Sequence, residues 1–121
     1  MAKRTDDART GPTRANDPTV LILTSLASGE KHGYALLLDI EAFAGTRLGP
    51  GTLYGAIGRL ESRGLIEAVG EAGRRRPYRL TATGAETLRV TLDEMRAIVD
   101  EGAARLARPP ALGITPAAGA A

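Results

Sequence analysis

Residues 50–80 read PGTLYGAIGRLESRGLIEAVGEAGRRRPYRL, and two periodicities meet inside them. Up to Arg63 the apolar residues Leu53, Ile57 and Leu60 recur at i, i+4 and i+7, the spacing of one helix face. Pro50 suits the first helical position, and Gly64 supplies the stop after Arg63. The opposite face carries Thr52, Gly55 and Arg59, and Tyr54 points about 100° away from Leu53. Gly55 and Gly58 each weaken a helix by about 1 kcal/mol relative to Ala, a cost usually kept where something must approach closely. Beyond Gly64 the period changes. Leu65 to Val69 alternates loosely, Gly70 to Gly73 forms a turn, and Arg74 to Leu80 returns as an extended stretch. The segment therefore predicts a helix followed by a β-hairpin whose returning strand carries Arg74, Arg75 and Arg76.

Upstream, Asp17 is a good N-cap and Pro18 a good first residue for a short helix through Val20, Leu21, Leu23 and Leu26, stopped by Gly29. It is apolar around most of its girth and should be buried. Lys31 to Tyr34 opens a second helix, with Leu36, Leu37, Ile40, Phe43 and Ala44 at helical spacing, Asp39 and Glu41 on the other face, and Gly45 at its end. Downstream, Thr83 to Glu86 has the T-x-x-E spacing of a capping box. The long helix that follows carries Leu88, Leu92, Met95, Val99, Gly102 and Leu106 at steps of four and three, a heptad seam ending at Pro109 and Pro110. Residues 1–16 read as a flexible arm and 109–121, which lack charge, as a disordered tail.

The chain has 121 residues, room for one domain with a modest core. With no Cys and a single His, disulfides, thiol catalysis and a poly-His metal centre are excluded, and no metal or cofactor is expected. The longest uncharged apolar run, Val20 to Ala27, falls far short of the ~20 residues a spanning helix needs. The first residues lack the apolar core of a secretory signal, so a soluble, cytoplasmic protein without a membrane partner is expected. The net charge of +2 argues nothing, but its distribution does. Between Arg59 and Arg79 six arginines face three glutamates, whereas residues 82–108 hold four arginines against five acids. Paired carboxylates in a cleft, a nucleophile with its base, and the G-K-[ST] of a phosphate loop are all missing, so an enzyme is not expected.

Three helices, a hairpin and a helix, in that order, form a winged helix-turn-helix: mainly α with a small β-hairpin, over residues 17–81, plus a C-terminal dimerisation helix over 82–108. The architecture fits double-stranded DNA. The major groove admits one helix, and the third presents a small, polar face to it. Its first amides, near Gly51 and Thr52, suit a phosphate, and the hairpin arginines suit the adjacent backbone.

Several segments then carry a family resemblance. His32-Gly33-Tyr34, Pro50-Gly51-Thr52-Leu53-Tyr54, Arg59-Leu60-Glu61, Gly64-Leu65-Ile66 and Tyr78-Arg79-Leu80-Thr81 agree in order and spacing with the PadR family of bacterial transcriptional regulators. The sequence resembles that family from about Thr19 to Arg108, in its short form with one helix after the wing. The resemblance implies a homodimeric winged-helix repressor, often relieved by a small-molecule effector, with Tyr54 at a phosphate. Two departures stand out. Gly55 follows Tyr54 where many members have Pro, and the chain has no Trp, so a drug pocket built on Trp stacking does not carry over.

The expected DNA-binding residues are Tyr34, Gly51, Thr52, Tyr54, Gly55, Arg59, Arg74, Arg75 and Arg76; the expected dimerisation residues are Leu88, Leu92, Met95, Val99 and Leu106. Each has a plainer alternative. The arginine run could be a solvated face, and Tyr54 could pack at a boundary. Arg59 could pair with Glu61 or Glu67, and Tyr34 could be packed with its hydroxyl in solvent. The seam could lie on the first helix of its own chain, although heptad spacing favours a partner. His32 reads as a hydrogen-bonding residue at a helix start. At the level of function, the alternatives are a winged-helix protein–protein adaptor that does not bind DNA, and a DNA-binding protein without a small-molecule input.

Overall fold

The computed structural model describes residues 17–70 and 76–108. Its order is α1 (Pro18–Leu26), α2 (Gly33–Ala44), α3 (Pro50–Ser62), β1 (Ile66–Ala68), β2 (Tyr78–Leu80) and α4 (Ala82–Ala107). The expected succession of three helices, hairpin and long helix is present. The 1–16 arm, residues 71–75 at the hairpin tip and the 109–121 tail lie outside the described residues.

Helix α1 starts as its sequence dictates. Asp17 accepts the Thr19 amide at 2.9 Å, and Pro18 occupies the first turn, where a missing N–H costs nothing. Val20, Leu21, Ile22, Leu23 and Leu26 are all buried, so the helix is wrapped by the other elements. Ser25 is buried with them, and its hydroxyl donates to Asp39 of α2 at 2.6 Å. Asp39, expected on an outer face, thus turns inward. Lys31 closes the same junction by donating from Nζ to the Ser25 carbonyl at 2.6 Å, with Asp39 4.0 Å away. Buried polar groups need such partners, and here they tie α1 to α2.

Helix α3 buries Leu53, Ala56, Ile57 and Leu60. It ends in a Schellman arrangement: the Leu65 amide donates to the Leu60 carbonyl at 3.0 Å and the Gly64 amide to Glu61 at 2.9 Å. Gly64 takes φ +75°, the left-handed conformation this turn requires. The chain then enters the hairpin, which pairs antiparallel with Ile66 opposite Leu80, Glu67 opposite Arg79 and Ala68 opposite Tyr78. The first strand is shorter than the expected 65–69; of the expected 74–80, residues 74 and 75 lie outside the described residues and the described part is strand at 78–80. Lys31 adds a third, one-residue strand: its amide donates to the Tyr78 carbonyl at 3.1 Å and its carbonyl accepts from Tyr78 at 2.9 Å.

The entry to α4 differs from expectation. Thr81, not Thr83, is the N-cap, accepting the Gly84 amide at 2.9 Å. Its hydroxyl also donates to the Gly64 carbonyl at 2.7 Å, and its amide donates to the Leu65 carbonyl at 3.1 Å. The T-x-x-E box at 83–86 is unused because the helix has already begun at Ala82, directly from the end of β2. Gly84 lies so close to the Leu65 carbonyl that a Cβ there would stand 1.9 Å from its oxygen. Only one seam residue enters the core: Leu88 is 5% exposed and packs with the apolar side chains of α1 to β1, so it is not available to a partner helix.

Two substitutions test this junction. Gly84→Ala should force α4 off the Leu65 carbonyl and lower the unfolding free energy by about 1–3 kcal/mol. Thr81→Val removes the cap and the Gly64 tie, and should lower it by about 1 kcal/mol. Urea unfolding followed by circular dichroism measures both. An unchanged midpoint for Gly84→Ala would mean the helix does not rest there.

Candidate nucleic-acid interface

Burial of Leu53, Ala56, Ile57 and Leu60 sets the rotation of α3. The other side is therefore outermost, and Gly51, Thr52, Tyr54, Gly55, Gly58 and Arg59 are all exposed there. Nothing in the described chain lies within 4 Å of a Cβ built on Gly51 or Gly58, and Gly55 meets only Nη1 of Arg59, at 3.6 Å. The close approach expected at Gly55 and Gly58 is thus not made by the described part of the chain. The Arg59 guanidinium lies back along this glycine face. Among the described residues its ion pairs include neither Glu61 nor Glu67, since Glu67 is engaged by Arg79 at 2.7 Å.

Tyr54 is both exposed and packed at a boundary. It is 53% exposed, yet its ring end rests on the first residue of α2, where a Cβ on Gly33 would stand 2.0 Å from Oη. Beside that contact His32 caps α2, its Nδ1 accepting the Ala35 amide at 3.4 Å. Tyr34, one residue into α2, is exposed next to it. The starts of α2 and α3 thus share one surface. The H-G-Y triplet carried a signal for this, a glycine at a helix start, but a close contact with a side chain of the next helix is not readable from spacing.

Of the three hairpin arginines, Arg76 is the one among the described residues. Arg74 and Arg75 lie outside the described residues. Arg76 is half-buried at the root of the wing, where its enclosed Nε has no hydrogen-bond partner among the described residues. Its charge also reaches Tyr78, whose pKa is nonetheless raised above the ordinary 10.0 by burial first and by Glu61 second, so the phenol stays protonated. Arg79 pairs with Glu67 across the strands and lies 3.8 Å from Glu30, which removes it from any free cationic surface. Arg63 lines a recess with Asp17, Thr19, Thr87 and Thr91, toward α1 and α4. The basic surplus counted along the chain is therefore divided among several surfaces.

The seam of α4 divides likewise. Leu92 and Met95 line a recess of about 330 Å³ with Val20, Leu21, Thr24, Phe43 and Ala44. Farther along, Val99 and Leu106 stand 65% and 89% exposed. Among the described residues no cluster of His, Asp and Glu is arranged to hold a metal, and no helix is long and apolar enough to cross a membrane.

With this geometry in place, comparison with known proteins is informative. A sequence model of the transcriptional regulator PadR-like family matches residues 22–90, from the middle of α1 into α4. A PadR family transcription regulator from Clostridium difficile superposes with a TM-score of 0.66 at 29% identity, over 74% of this chain and 97% of that one. A PadR family transcriptional regulator from Eggerthella lenta gives 0.63 at 30% identity, over 75% of this chain and 82% of that one. An uncharacterized 37.1 kDa protein in transposon TN4556 of Streptomyces fradiae is 51% identical over 75 residues, 62% of this chain. The chain spans 22% of the length of that relative. The match to the family extends over more than half of the sequence and over every element of the winged helix, and the chain belongs to the PadR-like family of transcriptional regulators, which are not enzymes.

Proposed function

We propose that the chain binds double-stranded DNA as a homodimer on a pseudo-palindromic operator, repressing transcription until a small molecule releases it. The observation that carries this reading is the outward side of α3. It offers Thr52 and Arg59 among three glycines, with Tyr54 as its one large side chain leaning away on Gly33, next to the wing. A helix so trimmed can lie deep in a major groove, with Gly51 and Thr52 leading and Arg59 farther in. Arg74, Arg75 and Arg76 supply phosphate contacts from the wing, and Tyr34 and Tyr54 from the helix starts.

Dimerisation is supported by the far half of α4. A helix of 26 residues extends about 39 Å, and beyond Met95 its apolar residues Ile98, Val99 and Leu106 are exposed. An exposed seam at heptad spacing is stabilised by a second copy of itself. With Leu88 inside the monomer, the dimer seam runs from Leu92 through Met95 and Val99 to Leu106. The recess between α1, the end of α2 and α4 is the place for the effector. Filling it would change the angle between the DNA-reading head and the dimer helix.

The test is fluorescence anisotropy over a salt series with a duplex selected from a randomised pool. Changing Arg74, Arg75 and Arg76 together to Ala should flatten the plot of log affinity against log salt by up to about 2–3 units, near 0.9 per phosphate lost. Salt-insensitive or absent binding by the unaltered chain would favour the protein–protein adaptor. Gly58→Ala should raise the unfolding free energy by up to about 1 kcal/mol while weakening duplex binding, because the added methyl faces the groove. Equal or tighter binding would remove α3 from the groove. Val99→Asp places a charge in the seam far from the core, so sedimentation should show a folded monomer that no longer holds the operator. A persistent dimer would place the interface elsewhere.

A further inference from the structure

Two exposed tyrosines, Tyr34 and Tyr54, flank the place where α2 and α3 begin, and only one is held. Tyr34 stands free of such a socket at 61% exposure. Tyr54 leans its ring end on Gly33, a buried residue in the first turn of α2. The space a Cβ would take on Gly33 is filled by Tyr54: Oη lies 2.0 Å, Cζ 2.7 Å and Cε1 3.1 Å from that point. Gly33 has no positive φ, so its backbone conformation does not call for glycine. Alanine would also be the better helix former there. The reason for glycine at this position is therefore the tyrosine ring.

We propose that Gly33 is a positioning residue for Tyr54, a socket that fixes the tyrosine's hydroxyl relative to both helix starts and so sets its contact with the DNA backbone. The inference rests on the DNA-binding reading above. A freely rotating tyrosine must lose rotamer freedom when it binds a phosphate, whereas one already seated does not. His32 precedes Gly33 in the chain. By capping α2 through the Ala35 amide it fixes where that helix starts, and thus where Gly33 lies.

The contact predicts non-additivity. Tyr54→Ala should reduce affinity for the selected duplex about tenfold, the loss expected for one hydrogen bond to a charged group. Gly33→Ala should bring a similar loss by displacing the ring, and ethylation interference should show the same phosphate contact missing in both. In the Tyr54→Ala background, Gly33→Ala should cost no further affinity and should raise the melting temperature, because the methyl then enters empty space. Should Gly33→Ala alone fail to fold, the double variant should fold and bind as Tyr54→Ala does. Equal losses from Gly33→Ala in both backgrounds, or a double variant that also fails to fold, would overturn the socket and leave DNA binding intact. No duplex recovered by the unaltered chain would overturn the DNA-binding reading and the positioning role with it.

Discussion

The first turn of α4 rests directly on the backbone at Gly64 and Leu65. Gly84 has no side chain, so the helix can approach the Leu65 carbonyl more closely than any other residue would allow. Thr81 completes the junction with its hydroxyl on the Gly64 carbonyl and its amide on Leu65. Three elements meet at this point: the Schellman end of α3, the start of β1 and the entry to α4. The left-handed turn at Gly64 directs the chain into the hairpin, and the hairpin's return delivers Thr81 to the same carbonyls. The direction of the long helix, and with it the direction of any dimer axis, is therefore set by backbone contacts around two glycines.

The same packing determines what α3 can offer. Its leucine and isoleucine stripe is wholly buried, which leaves no freedom of rotation about its axis. The outward side is then fixed as glycine, threonine, tyrosine and arginine. The hairpin is tied to the first two helices by Lys31, whose backbone pairs with Tyr78 and whose amine secures the end of α1 beside Asp39. One residue thus links the first helix, the second helix and the wing.

Charge is arranged with less economy than the composition implies. Arg79 is paired across the hairpin, Arg63 turns toward α1 and α4, and Arg76 is half enclosed near Tyr78. Of the described arginines between 59 and 79, Arg59 is the one on the outward side of α3. Exposed ion pairs such as Arg89 with Glu86 and Asp93 on α4 contribute little to stability, but they keep that helix's outer side solvated beside its apolar seam.

Local chemistry alone determined most elements. The caps at Asp17 and His32, the prolines at 18 and 50, and the stops at Gly45 and Gly64 act within a few residues, so their effect is visible in the sequence. The period of Leu53, Ile57 and Leu60 determined the buried face of α3 for the same reason. Interactions between distant segments were decided only by the tertiary structure. Spacing placed Asp39 outward, yet Ser25 draws it in; a T-x-x-E pattern marked Thr83, yet Thr81 is already held by Gly64. The heptad seam read as one stripe, but the core of α1 to β1 takes Leu88, because a periodic pattern records which side is apolar and not what covers it. Gly33 and Gly84 show this most directly. A glycine's sequence neighbours cannot reveal that a tyrosine ring or a carbonyl from another element occupies the place of its missing side chain.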